Sequence, residues 1–350
     1  MKTFKATNES VKKLGRTHEY RDALWLTLSG SGAEFSFYGT KAEIVLKSDD
    51  MAGGVNPARI GILVNGERVV DERLDRPVKT YTVFESAAAE QVAVTVIKLS
   101  EAAMSTVGIA EIRVEAERGI QPTPQKNRRI EFIGDSITCG YGVDDEYERH
   151  SFSTATEDVT QAYAYRTAEA LQADYSMVSY SGYGIISGYT ENDARLLTHL
   201  VPDYYEQLAK SEGKLDGKLD PLSIDWDFAR FAPDLIVINL GTNDDSYTSD
   251  HADRQAEFGR RYVDFLKTIR RRNAEARILC TLGMMGDRLY PVVEQAVRDY
   301  TAQTGDSGVS AMKFDEQRAE DGYAADYHPS RRTHAKAADR LTRHIEQLWG

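Results

Sequence analysis

The sequence predicts a two-domain protein, with a β-sandwich of jelly-roll type over residues 1–118 and an α/β domain over residues 128–350. Three observations support this fold class. The first third of the chain holds about eight short segments of alternating polarity, separated by turn residues and without a long helix. After a polar, proline-bearing linker at residues 119–127, apolar strands alternate with helical patterns, which is typical of a mainly parallel, doubly wound sheet. The length of 350 residues also fits two domains.

The strands predicted for the first domain are short and rich in β-branched or aromatic residues, and they alternate polar and apolar positions. They cover residues 24–28, 33–38, 42–46, 60–64, 68–70, 79–84, 91–97 and 109–114. Asn65 and Gly66 separate two of them and form a dipeptide that is typical of a tight hairpin turn. Antiparallel strands of this kind predict a sandwich rather than a helix-covered sheet.

The second domain is predicted to contain five strands and several amphipathic helices. The strands cover residues 129–133, 175–180, 235–240, 277–282 and 310–314, and the helices cover residues near 162–172, 258–269, 292–301 and 338–348. Ligands of such sheets bind beyond the carboxyl ends of the strands. A charge-rich insertion at residues 144–160 is a candidate lid or partner surface, with an ordinary surface loop as the alternative.

Composition limits the classes of function. The net charge of −12 argues against non-specific binding to nucleic acid or to an anionic membrane. The two cysteines, Cys139 and Cys280, make no disulfide framework and lack metal-site spacing, so they are predicted to be small buried side chains. No run is long and apolar enough for a bilayer, and the first residues lack a secretory apolar core, so a cytoplasmic location is expected.

The segment from Ile130 to Thr138 gives the strongest local indication of a catalytic residue. Three apolar residues in a run of four are followed by Gly134, Asp135 and Ser136, which indicates a buried strand that ends in a tight turn. A serine at a strand–helix junction lies near free helix amides that stabilise a negative oxygen. Ser136 is therefore either a nucleophile or a serine that caps a helix.

Four polar groups follow predicted strands or precede the last helix: Ser136, the turn 182–184, Asn243 and His328. In a doubly wound sheet they open onto one edge. A serine hydroxyl needs a base, and neutral histidine has a suitable pKa. The Ser136 amide, a glycine amide and the Asn243 side chain supply donors for a tetrahedral oxyanion. Together they predict acyl transfer through a serine.

Each of these residues also has an ordinary structural interpretation. Asn243 suits a turn, Gly184 suits a positive φ angle, and His328 alone suits a surface or a core. Asp135 and Asp244 are interpreted as carboxylates that brace loops rather than as acids of the mechanism. The order of the four groups along the chain and their positions at strand ends favour the catalytic interpretation.

The motifs resemble the four blocks of the SGNH (GDSL-type) hydrolases, and their fuller form resembles carbohydrate esterase family 2. They read Gly134-Asp135-Ser136-Ile137-Thr138-Cys139-Gly140-Tyr141-Gly142, Ser181-Gly182-Tyr183-Gly184, Gly241-Thr242-Asn243-Asp244 and Asp326-Tyr327-His328-Pro329. That family joins a jelly-roll domain to an SGNH domain, in the order predicted here. The resemblance implies removal of acetyl groups from O-acetylated sugars, often at a primary 6-hydroxyl, by a serine mechanism without metal or cofactor.

Carried over by residue, the resemblance makes Ser136 the nucleophile and His328 the base. It places the Ser136 amide, the Gly184 amide and the Asn243 side chain in the oxyanion hole. The chain departs from the SGNH pattern at the third catalytic position, three residues before the histidine, where it has Ala325. The acid is then Asp326, or a backbone carbonyl takes its place; an extended segment would point residues 326 and 328 to the same side.

The expected partner is a small acetylated carbohydrate, such as a xylo-, manno- or gluco-oligosaccharide. Tyr141, Tyr183, Trp226 and Tyr247 lie near the motif loops, and their ring faces suit the C–H face of a sugar. After Gly184 the chain lacks the Arg-Asn pair expected of that family. Two alternatives stay open: a general acyl esterase or lipase, which would need an apolar groove, and a carbohydrate-binding protein with an inactive hydrolase domain.

Overall fold

The computed structural model describes residues 1–349, and the chain divides into two compact units. The first unit comprises residues 1–126, 153–157 and 207–226. The second comprises residues 127–152, 158–206 and the described chain from residue 227 onward. Each unit has its own sheet.

The first unit is an antiparallel β structure, as predicted. Its strands are β1 (Lys2–Phe4), β2 (Lys12–Leu14), β3 (Thr17–Tyr20), β4 (Ala23–Leu26), β5 (Gly32–Ser48), β6 (Arg59–Val64), β7 (Glu67–Arg73), β8 (Val78–Lys98) and β9 (Val107–Pro122). They pair in the order β3-β4-β9-β5-β8-β6-β7, while β1 pairs with β9 and β2 with β5. Alternate side chains of the long strands, such as Phe35 and Phe37, are buried in one apolar core.

Two pairs of predicted strands are single long strands in the structure. Segments 33–38 and 42–46 both belong to β5, and segments 79–84 and 91–97 both belong to β8. The pairing of β5 with β8 shifts register between Gly39 and Lys41, and again between Ala42 and Glu43. Such bulges bend a strand while the ladder continues beyond them. A side chain at Gly39 would place its Cβ 2.0 Å from the Glu115 carbonyl oxygen, so this bend requires glycine.

The boundary between the predicted domains differs from the structure. Residues 119–122, predicted as part of the linker, continue β9, because Ile120 pairs with Phe37 and is buried. Residues 153–157 and 207–226, predicted within the α/β domain, belong to the first unit. There the Thr154 hydroxyl donates to the Pro57 carbonyl at 2.8 Å. These long-range pairings leave no periodic signal in the sequence.

The second unit has five parallel strands, which confirms the predicted α/β fold. They are β10 (Arg128–Gly134), β11 (Ala173–Ser179), β12 (Leu235–Asn239), β13 (Arg277–Leu282) and β14 (Val309–Lys313), in the order β11-β10-β12-β13-β14. The helices are α1 (Ser136–Cys139), α2 (Tyr163–Ala170), α3 (Thr242–Thr248), α4 (Ala252–Arg272), α5 (Tyr290–Thr304) and α6 (Arg331–Trp349). The strand order reverses at β10, which is where such sheets open a crevice for ligands.

Two smaller expectations concern the cysteines and the membrane. Cys139 and Cys280 are both buried and free of disulfides, which confirms their interpretation as small core side chains. Burial raises the pKa of the Cys280 thiol to about 12. Among the helices described up to residue 349, none combines the length and apolarity that a membrane crossing would require.

Candidate active site

Ser136 lies where β10 gives way to α1. The chain turns at Gly134, where an added Cβ would lie 2.1 Å from the Thr138 hydroxyl oxygen. Asp135 occupies the N-cap position, and its carboxylate accepts from the Ile137 amide at 3.0 Å. The serine is therefore not the helix cap. Because Asp135 satisfies the helix terminus, the Ser136 hydroxyl is available for another partner.

That partner is His328, which lies in the loop before α6. The His328 Nε2 and Ser136 Oγ atoms are 2.9 Å apart, although 192 positions separate the two residues. This is the hydrogen-bond distance that a general base needs to remove the serine proton. The structure thus brings together the predicted nucleophile and the predicted base.

The other side of the imidazole faces backbone carbonyls. His328 Nδ1 lies 3.2 Å from the Ala325 oxygen and 3.2 Å from the Asp326 backbone oxygen. The Asp326 carboxylate instead accepts from the Tyr141 hydroxyl at 2.5 Å. The segment is not extended, because Asp326 (φ 50°) and Tyr327 (φ 57°) both adopt left-handed backbone angles. Of the two alternatives for the third position, the carbonyls are the groups at hydrogen-bond distance from His328.

Burial also sets the pKa of the His328 imidazole. It lowers the pKa of His328 to about 4, although the two backbone carbonyls at Nδ1 oppose this shift. A histidine with this pKa is neutral at pH 7, so Nε2 carries a lone pair that accepts the serine proton. The Nδ1–H group donates a hydrogen bond to the carbonyls, which holds the required tautomer.

This pKa predicts that the rate of hydrolysis decreases only at an unusually low pH. We expect kcat/KM for an acetate ester to fall to half near pH 4, because protonation of His328 removes the base only below its pKa. A histidine with the ordinary pKa would lose half of the activity at about pH 6.5. The measurement is kcat/KM between pH 3.5 and 8 in buffers of constant ionic strength. A half-maximum near pH 6.5 would contradict the prediction.

A control for unfolding is needed in the same range. His334 is buried, and burial lowers its pKa to about 3. Its folded-state pKa therefore lies below the unfolded value of about 6.5, so the free energy of unfolding decreases as the pH falls below 6.5. Circular dichroism at each pH, and recovery of activity after return to pH 7, separate loss of the base from loss of the fold.

The glycine predicted for the oxyanion hole is not free to serve. The Gly184 amide donates to the His199 carbonyl at 3.0 Å, and its own carbonyl accepts from the Val201 amide at 2.9 Å. The prediction for Gly184 is therefore wrong. The amide of Gly182 (φ 81°), two residues earlier, donates to no group within the described chain. The motif has glycines at both positions, and only the folded turn distinguishes them.

Asn243 occupies the first turn of α3 and is buried. Its side-chain nitrogen donates to the Tyr183 carbonyl at 2.8 Å and lies 3.4 Å from the Asp135 carboxylate. An amide nitrogen carries two hydrogens, and the 3.4 Å contact is long for a hydrogen bond. The second N–H of Asn243 is the one that could donate a hydrogen bond to an oxyanion. This role of Asn243 stays a prediction.

Asp244 braces the turn beside the site. Its carboxylate accepts from the amides of Ile185 (2.9 Å), Ile186 (2.7 Å) and Ser187 (3.1 Å). Gly184 is required here, because its Cβ would lie 2.5 Å from this carboxylate. Burial raises the pKa of Asp244 to about 6 despite these donors. Burial, with a smaller effect of the Asp244 charge, raises the pKa of Asp135 to about 7.

The structure distributes the four candidate aromatic residues differently. The Tyr141 ring stacks on the His328 imidazole, with centroids 3.9 Å apart. Tyr183 is only 5% exposed and packs against Tyr180, so its ring offers no open face to a sugar. Trp226 is 6% exposed and belongs to the first unit. The predictions for these two are wrong, because both rings are core side chains.

Tyr247, the fourth candidate, is half-buried beside two arginines. The guanidinium of Arg254 lies 4.4 Å from its ring centroid and that of Arg195 lies 5.7 Å away. Cation–π contacts of this kind between a guanidinium and an aromatic ring stabilise the local fold. Its predicted contact with substrate stays a prediction.

Two exposed aromatic residues lie on the insertion and on the histidine segment, and the sequence analysis did not select either. Tyr147 is 50% exposed and Tyr327 is 49% exposed. Their segments are joined, because the amides of Asp326 and Tyr327 donate to the carbonyls of His150 (3.0 Å) and Glu148 (3.2 Å). The first part of the insertion is thus an ordered loop tied to the histidine segment, whereas residues 153–157 belong to the first unit.

Comparison with known proteins shows the family to which this chain belongs. Residues 132–336, more than half of the chain, match the family model described as GDSL-like Lipase/Acylhydrolase family. The chain belongs to this family. Residues 13–124 match a second model, described as Carbohydrate esterase 2 N-terminal. Both matches confirm the resemblance predicted from the motifs and the predicted combination of domains.

Two curated proteins match most of this chain. Cellulase/esterase CelE from Acetivibrio thermocellus is 31% identical over 327 residues, which cover 92% of this chain and 37% of that protein. The chain therefore spans little more than a third of this relative. An acetylxylan esterase / glucomannan deacetylase of Cellvibrio japonicus is 25% identical, with 99% of this chain and 91% of that protein covered.

A solved structure agrees over the whole length. It is that of a family two carbohydrate esterase from Clostridium thermocellum in complex with cellohexaose. The TM-score is 0.81 at 29% identity, and the match covers 97% of this chain and 99% of that chain. The match therefore includes residues of both units.

Proposed function

We propose that this GDSL-family hydrolase is a carbohydrate O-acetyl esterase that removes acetyl groups from small acetylated xylo-, manno- or gluco-oligosaccharides. The observation that carries the proposal is the 2.9 Å contact between His328 Nε2 and Ser136 Oγ. The match of the N-terminal unit to carbohydrate esterase 2 supports a sugar ester as substrate. So does the acetylxylan esterase / glucomannan deacetylase among its relatives. The cytoplasmic location stays a prediction.

The residues give a two-step mechanism. Ser136 Oγ attacks the acetyl carbonyl carbon while His328 Nε2 takes the hydroxyl proton. The oxyanion of the tetrahedral intermediate accepts hydrogen bonds from the Ser136 amide, the Gly182 amide and the second N–H of Asn243. Collapse of the intermediate breaks the ester bond, and the sugar oxygen leaves with the proton from His328. Ser136 then carries the acetyl group.

Deacylation repeats these roles with water. His328, now neutral, removes a proton from water as the water oxygen attacks the acetyl carbonyl. The same three donors stabilise the second oxyanion. The intermediate expels Ser136 Oγ, which takes the proton back from His328, and acetate leaves. Both steps require a histidine that is neutral at the start, which the lowered pKa of His328 provides.

The test compares esters that differ in their alcohol. Acetate release is measured from methyl 6-O-acetyl-glucoside, acetylated xylo-oligosaccharide, ethyl acetate and 4-nitrophenyl acetate, with Ser136→Ala as the control. The glucoside and ethyl acetate both expel an alkoxide, so their ratio reports recognition of the sugar. We expect kcat/KM for a sugar acetate to exceed that for ethyl acetate by at least about 100-fold, the range that specific binding contacts supply.

The other outcomes discriminate the rival functions. Equal rates on sugar and alkyl acetates, with loss of both in Ser136→Ala, would indicate a general acyl esterase. Wild-type rates equal to those of Ser136→Ala on every ester would reject the esterase proposal. In that case binding of unmodified oligosaccharides, measured by calorimetry, tests the carbohydrate-binding alternative.

A further inference from the structure

The base of this site has no carboxylate hydrogen-bonded to its ring. His328 Nδ1 faces the neutral carbonyls of Ala325 and Asp326, each at 3.2 Å. In a Ser-His-Asp triad the acid stabilises the imidazolium that forms when the serine proton moves. Neutral carbonyls fix the tautomer but supply less of this stabilisation. Another group near the ring must then respond to the developing positive charge.

Tyr141 covers one face of the imidazole. Its ring lies nearly parallel to that of His328, with centroids 3.9 Å apart and an angle of 20° between the planes. Phe152 packs against the same tyrosine, with centroids 4.7 Å apart. The stack fixes the plane of the imidazole, and the negative face of an aromatic ring attracts a cation. It therefore favours the imidazolium over the neutral base.

The tyrosine also connects the imidazole to a negative charge. Its hydroxyl donates to the Asp326 carboxylate at 2.5 Å. Hydrogen bonds to an ionised acceptor are short and about twice as strong as neutral ones. A phenol that donates to a carboxylate has a more electron-rich ring, so its attraction to a stacked cation increases.

The backbone of Asp326 makes the arrangement possible. Its left-handed conformation (φ 50°, ψ 39°) directs the carbonyl to His328 Nδ1 and the carboxylate to Tyr141. A non-glycine residue rarely adopts this region, because its side chain is strained there. The amide of the same residue donates to the His150 carbonyl at 3.0 Å, which helps to hold the turn.

We propose that Tyr141 is a positioning residue that transmits the charge of the Asp326 carboxylate to His328, and so replaces the direct acid–histidine hydrogen bond. The inference rests on the proposed esterase function for its kinetic consequences. Tyr141 acts most strongly in the transition state, when the imidazole is positively charged. It therefore raises kcat and leaves KM nearly unchanged.

The kinetic test uses four variants: Tyr141→Phe, Tyr141→Leu, Asp326→Asn and the double variant Tyr141→Phe/Asp326→Asn. We expect Tyr141→Phe and Asp326→Asn each to lower kcat about 5-fold, and Tyr141→Leu about 30-fold, from the usual strength of a cation–π contact. The double variant should lose no more than either single variant, because both changes break one hydrogen bond. Additive losses, or losses confined to KM, would overturn the inference.

Tyr300→Phe is the matched control. The Tyr300 hydroxyl donates to the Asp306 carboxylate at 2.8 Å, so this variant removes a similar bond from α5. We expect kcat to be unchanged in it. A fall in kcat like that of Tyr141→Phe would show that loss of any such bond affects the enzyme through stability, and would overturn the assigned role.

A second readout does not depend on activity. The pKa of His328, followed by NMR in histidine-labelled protein, is expected to fall by about 0.5 to 1 unit in Tyr141→Leu, which is the pKa equivalent of a modest cation–π contact. Asp326→Asn should lower this pKa in the wild-type background and much less in Tyr141→Phe. An equal fall in both backgrounds would mean that the carboxylate acts on the histidine directly and would overturn the inference, even in a protein that hydrolyses no ester.

Discussion

Ser136→Ala is expected to lower kcat/KM for an acetate ester by about 10⁴-fold or more, the loss typical when a serine nucleophile is removed. His328→Ala should cause a similar loss, because the serine hydroxyl is a weak nucleophile without a base at 2.9 Å. The double variant should be no worse than Ser136→Ala. Two residues that act together in one catalytic step are both needed for it. Once Ser136 has been removed, removal of His328 therefore lowers kcat/KM no further.

The measurement is kcat/KM on methyl 6-O-acetyl-glucoside and 4-nitrophenyl acetate for the three variants, with Ser86→Ala as a control. Ser86 is a half-buried serine of β8 whose hydroxyl donates to Glu90, and its replacement should leave activity unchanged. Urea unfolding of each variant checks that the fold survives. Multiplicative losses in the double variant, or activity retained in Ser136→Ala, would show that another group attacks the ester.

The reacting pair is predictable from sequence because it depends on topology. Gly134-Asp135-Ser136 follows an apolar run that is typical of a buried strand, and His328 precedes the last amphipathic helix. In a doubly wound parallel sheet both positions open onto the same edge. The topology therefore places both residues at one edge, and the structure shows them in contact at 2.9 Å.

Details of the loops were not predictable, because they depend on backbone angles. The sequence left Asp326 and a backbone carbonyl as alternatives for the third position, and the positive φ of Asp326 sends the carboxylate to Tyr141 and the carbonyl to His328. Gly182 and Gly184 have the same residue type two positions apart, and only the pairing of Gly184 with His199 shows which amide is occupied. Polarity patterns report burial and element type, and they contain no information about such angles.

Long-range packing was the second source of error. Trp226 lies near a motif loop in sequence, yet its segment belongs to the first unit. The strands β5 and β8 were each divided in two, because a bulge at a strand bend resembles a turn in the polarity pattern. Both errors arise where a local pattern is compatible with more than one tertiary partner.

Asp244→Ala is expected to have the largest effect on stability. The carboxylate is fully buried and is the acceptor for the amides of Ile185, Ile186 and Ser187. Its removal leaves three buried N–H groups without an acceptor, at a cost of about 1 to 3 kcal/mol each when no relaxation occurs. With partial relaxation we expect the free energy of unfolding to fall by about 3 to 5 kcal/mol.

The loss should reach the active site, because the braced residues directly follow the turn that holds Gly182 and Tyr183. The Tyr183 carbonyl is the acceptor of the Asn243 side chain at 2.8 Å, so a displaced turn also releases this proposed oxyanion donor. We expect kcat to fall by about 10²-fold, the usual effect of losing one such donor. KM should change less, because the oxyanion forms only after the substrate is bound.

Asp244→Asn distinguishes bracing from a requirement for charge. Oδ1 accepts from all three amides, whereas Oδ2 accepts only a second contact from Ile185 at 2.9 Å. Asparagine keeps the first oxygen, so its cost should be about 1 to 2 kcal/mol, that of one unfavourable contact. Asp227→Ala, which removes an exposed carboxylate that caps the Ala229 amide at 3.1 Å, should cost about 1 kcal/mol or less. Urea unfolding measures the free energy of unfolding of all three variants. If Asp244→Ala lowers it no more than Asp227→Ala does, the Asp244 carboxylate does not hold the turn that contains Gly182 and Gly184.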